Sequence, residues 1–318
     1  MLNIFQEVQE AEQRIRSYVR TTPLVPAPSL SAISPSDVYL KLENLQHTGS
    51  FKVRGAFSRL TSLSDEERCK GVVTASSGNH GLAVAFALNQ LGIPGTIFLP
   101  ENVTPVKYAK LQEYDVQIKL IPGDGIHVET TAINYATQKN IPYISPYNDA
   151  KVIGGQGTIG VELHQQQENI DCLFVAVGGG GMISGTAGFL KKIDPGIRVI
   201  GCEPQNSRAM SESVKAGRIV DVEISDTLSD GTAGGIESES ITFEPCSRLV
   251  DDWVDVTETE IVEGMRWLFE HHDLVVEGAA GVVVAAFLKR AIELSGSCAA
   301  LVMCGANIDE EIFRALVT

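Results

Sequence analysis

The run Cys172-Leu173-Phe174-Val175-Ala176-Val177 carries no charged or amide side chain and stops on four consecutive glycines, Gly178 to Gly181. A strand apolar on both faces has to be covered on both faces, which in practice means a parallel sheet packed between helices. Met182 to Lys192 then reads as a helix. Strand, glycine turn and helix make one unit of an α/β protein, and the rest of the chain repeats the pattern.

Val72-Val73-Thr74-Ala75 reads as a buried strand, and Asn79-His80-Gly81-Leu82 opens a helix reaching about Leu91. Gly95 to Leu99 and Val116 to Ile121 are further strands, with helices over Thr104 to Tyr114 and Ile126 to Lys139. Pro142-Tyr143-Ile144 closes this run as a short strand, so about four strands are expected near 70–148. A second run follows: a helix over Gln156 to His164, the apolar strand, and strands at Arg198 to Cys202 and Ala299 to Met303. Helices are expected over Ser207 to Ala216, from Thr257 to about His272, and from Glu277 to Leu294. Ahead of both runs, Leu2 to Val19 has an amphipathic helical pattern and Thr21 to Pro28 is extended. Two open, mostly parallel sheet lobes result. A small domain, 70–148, is inserted into a large one formed by 1–69 and 149–318.

Charge narrows the partners. The 318 residues carry a formal net charge of -15, which argues against nucleic acid, whose phosphates need clustered Lys and Arg. Cys69, Cys172, Cys202, Cys246, Cys298 and Cys304 form no Cys-x-x-Cys pair, as expected of reduced thiols in a cytoplasmic protein. No signal peptide and no bilayer-length apolar segment is visible, so no membrane partner is expected.

Three turns carry candidate chemistry. The tetraglycine exposes backbone amides at a helix start, which makes an anion site. No lysine follows in nucleotide-loop spacing, and Ser184 stands where a dinucleotide fingerprint has its third glycine. Glu203, at the next strand end, still resembles a ribose-binding acid, so a nicotinamide site stays open. Ser76-Ser77-Gly78-Asn79-His80-Gly81 is a second strand-to-helix turn, suited to a carboxylate. Cys304-Gly305-Ala306-Asn307 ends the last apolar strand, on the sheet edge where ligands sit in open α/β folds. Glu277 is either a buried acid or a helix-start charge. His271-His272 reads as a solvated helix end and not a metal site.

A fourth stretch, Ser50-Phe51-Lys52, puts a lysine in the first turn of a helix that Ser50 is expected to cap. The positive helix end disfavours a cation there and favours the neutral, nucleophilic amine. Taken alone, Lys52 reads more readily as a solvated surface lysine beside an ordinary cap.

In order and spacing these four motifs resemble the fold-type II pyridoxal-phosphate enzymes, the threonine/serine dehydratase and serine racemase family, with its tryptophan synthase β-like architecture. The resemblance spans nearly the whole chain. It implies that Lys52 holds pyridoxal 5'-phosphate as a Schiff base and later moves protons at the substrate Cα. It implies Phe51 beside the ring, Asn79 on the 3-hydroxyl, Gly178, Gly179, Gly180, Gly181 and Met182 around the phosphate, and Cys304 at the pyridine nitrogen. Glu277 counts with these cofactor-binding residues. Ser76, Ser77, Gly78, Asn79 and His80 would grip the substrate carboxylate, and Ser77 is the second catalytic candidate, the opposite-face acid/base of family racemases.

The implied activity is elimination from a β-hydroxy-L-amino acid, threonine or serine by default, to a 2-oxo acid and ammonia; racemisation is the alternative. A neutral thiol at the ring nitrogen weakens the electron sink and favours expulsion of the β-hydroxyl. The glycine-bearing run Asp230 to Ile236 leaves room for a bulkier β-substituent, aryl or carboxylated, as in phenylserine or 3-hydroxyaspartate. Cation-binding relatives carry an acid six residues after Glu203; Ala209 stands there, so no metal is carried over. A substrate-facing arginine of some racemases falls near His127. A homodimer is the assembly implied.

Overall fold

The computed structural model describes residues 2–318. In chain order the first part is α1 (Ile4–Ile15), β1 (Leu24–Pro26), α2 (Pro28–Ile33), β2 (Asp37–Lys41), α3 (Lys52–Thr61) and α4 (Asp65–Lys70). Next come β3 (Val72–Ala75), α5 (Asn79–Leu91), β4 (Gly95–Pro100), α6 (Pro105–Gln112), β5 (Gln117–Ile121) and α7 (Gly125–Lys139). Then follow α8 (Ala150–Gln166), β6 (Cys172–Ala176), α9 (Gly181–Ile193), β7 (Arg198–Pro204), α10 (Ala209–Ala216) and α11 (Phe243–Leu249). The chain closes with β8 (Asp252–Val256), α12 (Glu258–His272), α13 (Gly278–Arg290), β9 (Cys298–Val302) and α14 (Glu310–Val317).

Two sheets form, as the apolar runs require. The larger has the order β1-β2-β9-β6-β7-β8, parallel throughout except for the antiparallel edge strand β1. The smaller is β3-β4-β5, all parallel. Strands β6 and β9 are neighbours in register, Phe174 opposite Leu301. Their carboxyl ends therefore release the glycine turn and the Cys304 segment side by side, where an open α/β sheet binds ligands. Helix α13 is buried along most of its length, as its apolar sequence predicts.

Several local expectations change. The expected strand at Pro142–Ile144 reduces to one bridge, Tyr143 to Val73, leaving three strands in the small sheet. Pro142 has no N–H to donate, so it offers only its carbonyl to Val73. Helix α8 starts at Ala150, six residues before the expected Gln156, with the Asp149 side chain accepting from the N–H groups of Lys151 and Val152. Its glycines argue against helix by propensity. Packing overrides this, because a Cβ on Gly155 would stand 2.5 Å from the Arg54 carbonyl of α3 and one on Gly157 2.8 Å from that of Gly185 in α9. The short helices α2, α4 and α11 and the edge strand β8 have no counterpart among the expected elements. Among the described residues no helix is long and apolar enough to cross a membrane.

Candidate active site

Lys52 opens α3 as expected, but Ser50 does not cap it. Phe51 occupies the cap position without a side-chain bond. Ser50 is drawn into an isolated bridge with Gly305 instead, and its buried hydroxyl has no partner. The Phe51 N–H donates to the Cys304 carbonyl at 3.1 Å, which ties the lysine's turn to the end of β9. The half-buried Lys52 amine donates to the Pro146 carbonyl at 3.0 Å and lies 5.2 Å from the Phe51 ring centroid. Burial pushes its pKa down to about 8, against the opposing pull of Glu277 and Cys304.

Glu277 sits at the N-cap position of α13 and faces the site. Asn79 Nδ2 donates to both of its oxygens at 2.9 Å, and the Cys304 thiol to Oε1 at 3.8 Å. Burial raises the Glu277 carboxyl. Burial, then the Glu277 charge, raise the Cys304 thiol well above its ordinary value, so the sulfur stays neutral. The resemblance puts both Cys304 and Glu277 at the cofactor, and the fold joins them as one pair. Sequence reasoning passed over Asn307, whose Nδ2 donates to Asn79 Oδ1 at 2.6 Å and to the Thr48 carbonyl at 2.7 Å. Asn307 fixes which end of the Asn79 amide faces Glu277. Asn307 lies in the Cys304-Gly305-Ala306-Asn307 stretch, but no spacing rule singles out an amide that acts on another amide.

The turn after β3 carries Ser76 to His80 into α5. The Gly78 N–H donates to Ser76 Oγ at 3.2 Å, and Asn79 begins the helix without a side-chain cap. His80 is buried, with Nε2 at 3.0 Å from the Ile144 carbonyl. That contact makes Nε2 the protonated nitrogen. Burial, with the Lys52 charge adding to it, pushes the ring down to about 3, so it stays neutral. The imidazole therefore gives a carboxylate no cationic grip.

At the glycine turn, the N–H groups of Gly179, Gly180, Gly181 and Met182 have no protein acceptor among the described residues. A Cβ on Gly179 would fall 2.3 Å from the Tyr147 ring, and Gly180 adopts φ +81. Gly179 and Gly181 are glycine because Tyr147 packs on them, and the free amides lie together at the start of α9.

Glu203 does not face this surface. It accepts from the N–H groups of Met210 and Ser211 at 3.1 and 3.2 Å, beside the buried Ala209. No group of three His, Cys, Asp or Glu side chains able to hold a metal occurs among the described residues. Burial pushes Glu203 up to about 7 from 4.5. The folded state then holds more protons than the unfolded one between those values, so this group costs stability as pH rises through the window. Glu203→Gln should gain about 2 kcal/mol on wild type between pH 5 and pH 8, read by urea unfolding.

Fold and site define an open α/β enzyme with an amine of lowered pKa, a buried acid–thiol pair and an amide cradle gathered at one sheet edge. The family model for pyridoxal-phosphate dependent enzymes matches residues 15–305. An L-threonine ammonia-lyase of Thermotoga maritima is 37% identical, covering 98% of this chain and 77% of the relative. A catabolic L-threonine dehydratase of Staphylococcus aureus is 35% identical over 95% and 88%. Among solved structures, maize serine racemase superposes with a TM-score of 0.92 at 32% identity, covering 98% and 95%. A processed threonine deaminase isoform 2 from Solanum lycopersicum gives 0.93 at 30%, covering 98% and 92%. The chain belongs to the pyridoxal-phosphate dependent enzyme family.

The residues present fit that cofactor. Four unpartnered amides in a turn that excludes Cβ atoms suit a phosphate, and a lysine lowered to about 8 suits an aldehyde.

Proposed function

We propose that this enzyme deaminates a β-hydroxy-L-amino acid, threonine or serine, to the 2-oxo acid and ammonia. The observation that carries it is the half-buried Lys52 amine, set against Glu277 and Cys304 beside the free amides of the glycine turn. The threonine ammonia-lyase and dehydratase relatives support the substrate class.

Pyridoxal phosphate, when bound, supplies the electron sink that makes the substrate's α-hydrogen acidic and its β-hydroxyl a leaving group. Lys52 would hold it covalently, Gly178 to Gly181 and Met182 its phosphate, Phe51 one face of its ring, and Asn79, releasing one of its two bonds to Glu277, the 3-oxygen. Cys304, whose one proton goes to Glu277 here, would face the ring nitrogen as a neutral thiol and turn that proton to it. Lys52 Nζ takes the α-proton, and a group near 8 is already neutral in about a tenth of molecules at pH 7. The turn from Ser76 to His80 binds the substrate carboxylate through the backbone N–H groups at the start of α5 and the Ser76 and Ser77 hydroxyls. His80 serves there through its main chain, since its ring is bonded to Ile144. The proposal extends to 70–148 as a separate domain, to a homodimer and to a cytoplasmic location.

The serine racemase neighbours favour a second reading, with Ser77 Oγ as the acid/base on the opposite face of Cα. One assay separates the two. Holoenzyme given L-threonine and L-serine should release 2-oxobutyrate and pyruvate, with D-serine a minor product. D-serine formed faster than pyruvate selects the racemase, and no 2-oxo acid from any β-hydroxy amino acid sinks the deaminase.

A further inference from the structure

Two residues past Lys52, Arg54 is fully buried, and the chemistry above makes no use of it. All five of its N–H groups are engaged. Nε and Nη2 donate to the two oxygens of Glu43 at 2.7 and 2.8 Å. Nη1 and Nη2 donate to the two oxygens of Glu162 at 2.7 and 2.9 Å, and Nη1 also reaches Thr158 Oγ1 at 3.1 Å. Lys41, equally buried, donates to Glu162 at 2.6 Å, the Thr22 carbonyl at 2.7 Å and Gln166 at 2.9 Å. Two buried cations thus meet two buried carboxylates, with Arg16 joining Glu162 from the rim at 2.9 Å.

Stability alone does not account for this cluster, because well-packed apolar residues of similar volume often hold a core as firmly as buried ion pairs do. What a double fork adds is fixed geometry. Glu43 follows β2, Glu162 lies on α8, and Arg54 sits in the first turn of α3. That turn has no side-chain cap to hold it. The loop between Glu43 and Lys52 is itself laced to the end of β9: Asn44 N–H to the Met303 carbonyl at 2.9 Å, and Ala306 N–H to the Gly49 carbonyl at 2.8 Å. A slip of the fork would therefore shift the lysine turn against the Cys304 segment.

We infer that Arg54, clamped by Glu43 and Glu162, is the positioning residue of Lys52: it fixes the first turn of α3 and so sets where the amine stands against Pro146 and Cys304. The inference rests on Lys52 being the cofactor lysine. A lysine at position 54 keeps the charge and loses the fork.

The test reloads apoprotein with pyridoxal phosphate and compares Arg54→Lys, Glu43→Gln and Lys41→Met. Arg54→Lys should capture the cofactor about tenfold more slowly or worse. Its lysine-bound absorption band should titrate at a midpoint displaced by about half a pH unit or more. Glu43→Gln should move both readouts the same way by less. Lys41→Met loosens the same cluster from the β2 side without touching α3. It should lose melting temperature, yet keep the midpoint and a capture rate within about twofold of wild type. Arg54→Lys matching Lys41→Met in rate and midpoint overturns the inference. Should Arg54→Lys fail to fold, Glu43→Gln against Lys41→Met decides by the same criteria. A wild-type protein with no lysine-bound band overturns the assignment of Lys52 itself, and this inference with it.

Discussion

Lys52→Ala should lose the visible band of lysine-bound pyridoxal phosphate and lower turnover of L-threonine by about a thousandfold or more. The size follows from how specialised the amine's surroundings are. Burial brings it to about 8, a helix start disfavours its charged form, and the Pro146 carbonyl at 3.0 Å holds it in place. Lys41, the nearby buried lysine, is locked to Glu162, Thr22 and Gln166 and cannot substitute. Loss of chemistry has to be told from loss of fold, and pH does this. Lys52 is lowered from 10.5 in the folded state, so its protonated form costs stability below about 8, and the cost fades as pH rises toward 10.5. Apo Lys52→Met, which keeps an apolar stem of similar length and drops the charge, should therefore melt no lower than apo wild type at pH 7. A Lys52→Ala protein that keeps the band, or turns over within about tenfold of wild type, sinks the assignment.

The parts legible in the sequence are those whose local pattern and tertiary role coincide. The apolar run into Gly178 fixes a buried strand, a turn and a helix in one reading, and β6 and α9 stand where it puts them. Lys52 could be placed in a first helical turn because Val53 to Leu60 carries a helical pattern. The misses share a different cause. Ser50 has the chemistry of a cap, yet an isolated bridge to Gly305, past the end of β9, takes its backbone instead. Gly154 and Gly155 fall outside the expected helix, although in α8 they are contact points for α1 and α3. Glu277 and Asn307 lie 198 and 228 residues from Asn79, and only the folded chain shows that they act on one amide. Arg54, too, is one more arginine on a helix until β2 and α8 bring two carboxylates to it.

Gly179→Ala should weaken pyridoxal phosphate binding by about ten- to a hundredfold while leaving a folded protein. The added Cβ would lie 2.3 to 2.5 Å from Cγ, Cδ1 and Cδ2 of Tyr147, so either the ring or the turn must move. The ring is held. Its hydroxyl accepts from the Glu237 N–H at 3.0 Å, and the next residue, Asn148, bonds Glu237 at 2.7 Å and the Ile241 N–H at 2.9 Å. The preceding residue is Pro146, whose carbonyl takes the Lys52 amine. Retreat of Tyr147 therefore disturbs the lysine, and retreat of the turn disturbs the four free amides. Both reach the cofactor, at its aldehyde end or at its phosphate. Overpacking of this kind costs about 1–3 kcal/mol, the source of the range given. Gly181→Ala puts its Cβ 3.1 Å from the Tyr147 Cβ, a milder contact, and should weaken binding less. Adding Tyr147→Ala to Gly179→Ala removes the collision, and the double variant should bind more tightly than the two single losses sum to. Cofactor titration by equilibrium absorbance reads all four proteins. Wild-type affinity in Gly179→Ala would mean that the phosphate is held elsewhere, and strict additivity in the double variant would mean that Tyr147 does not shape the turn.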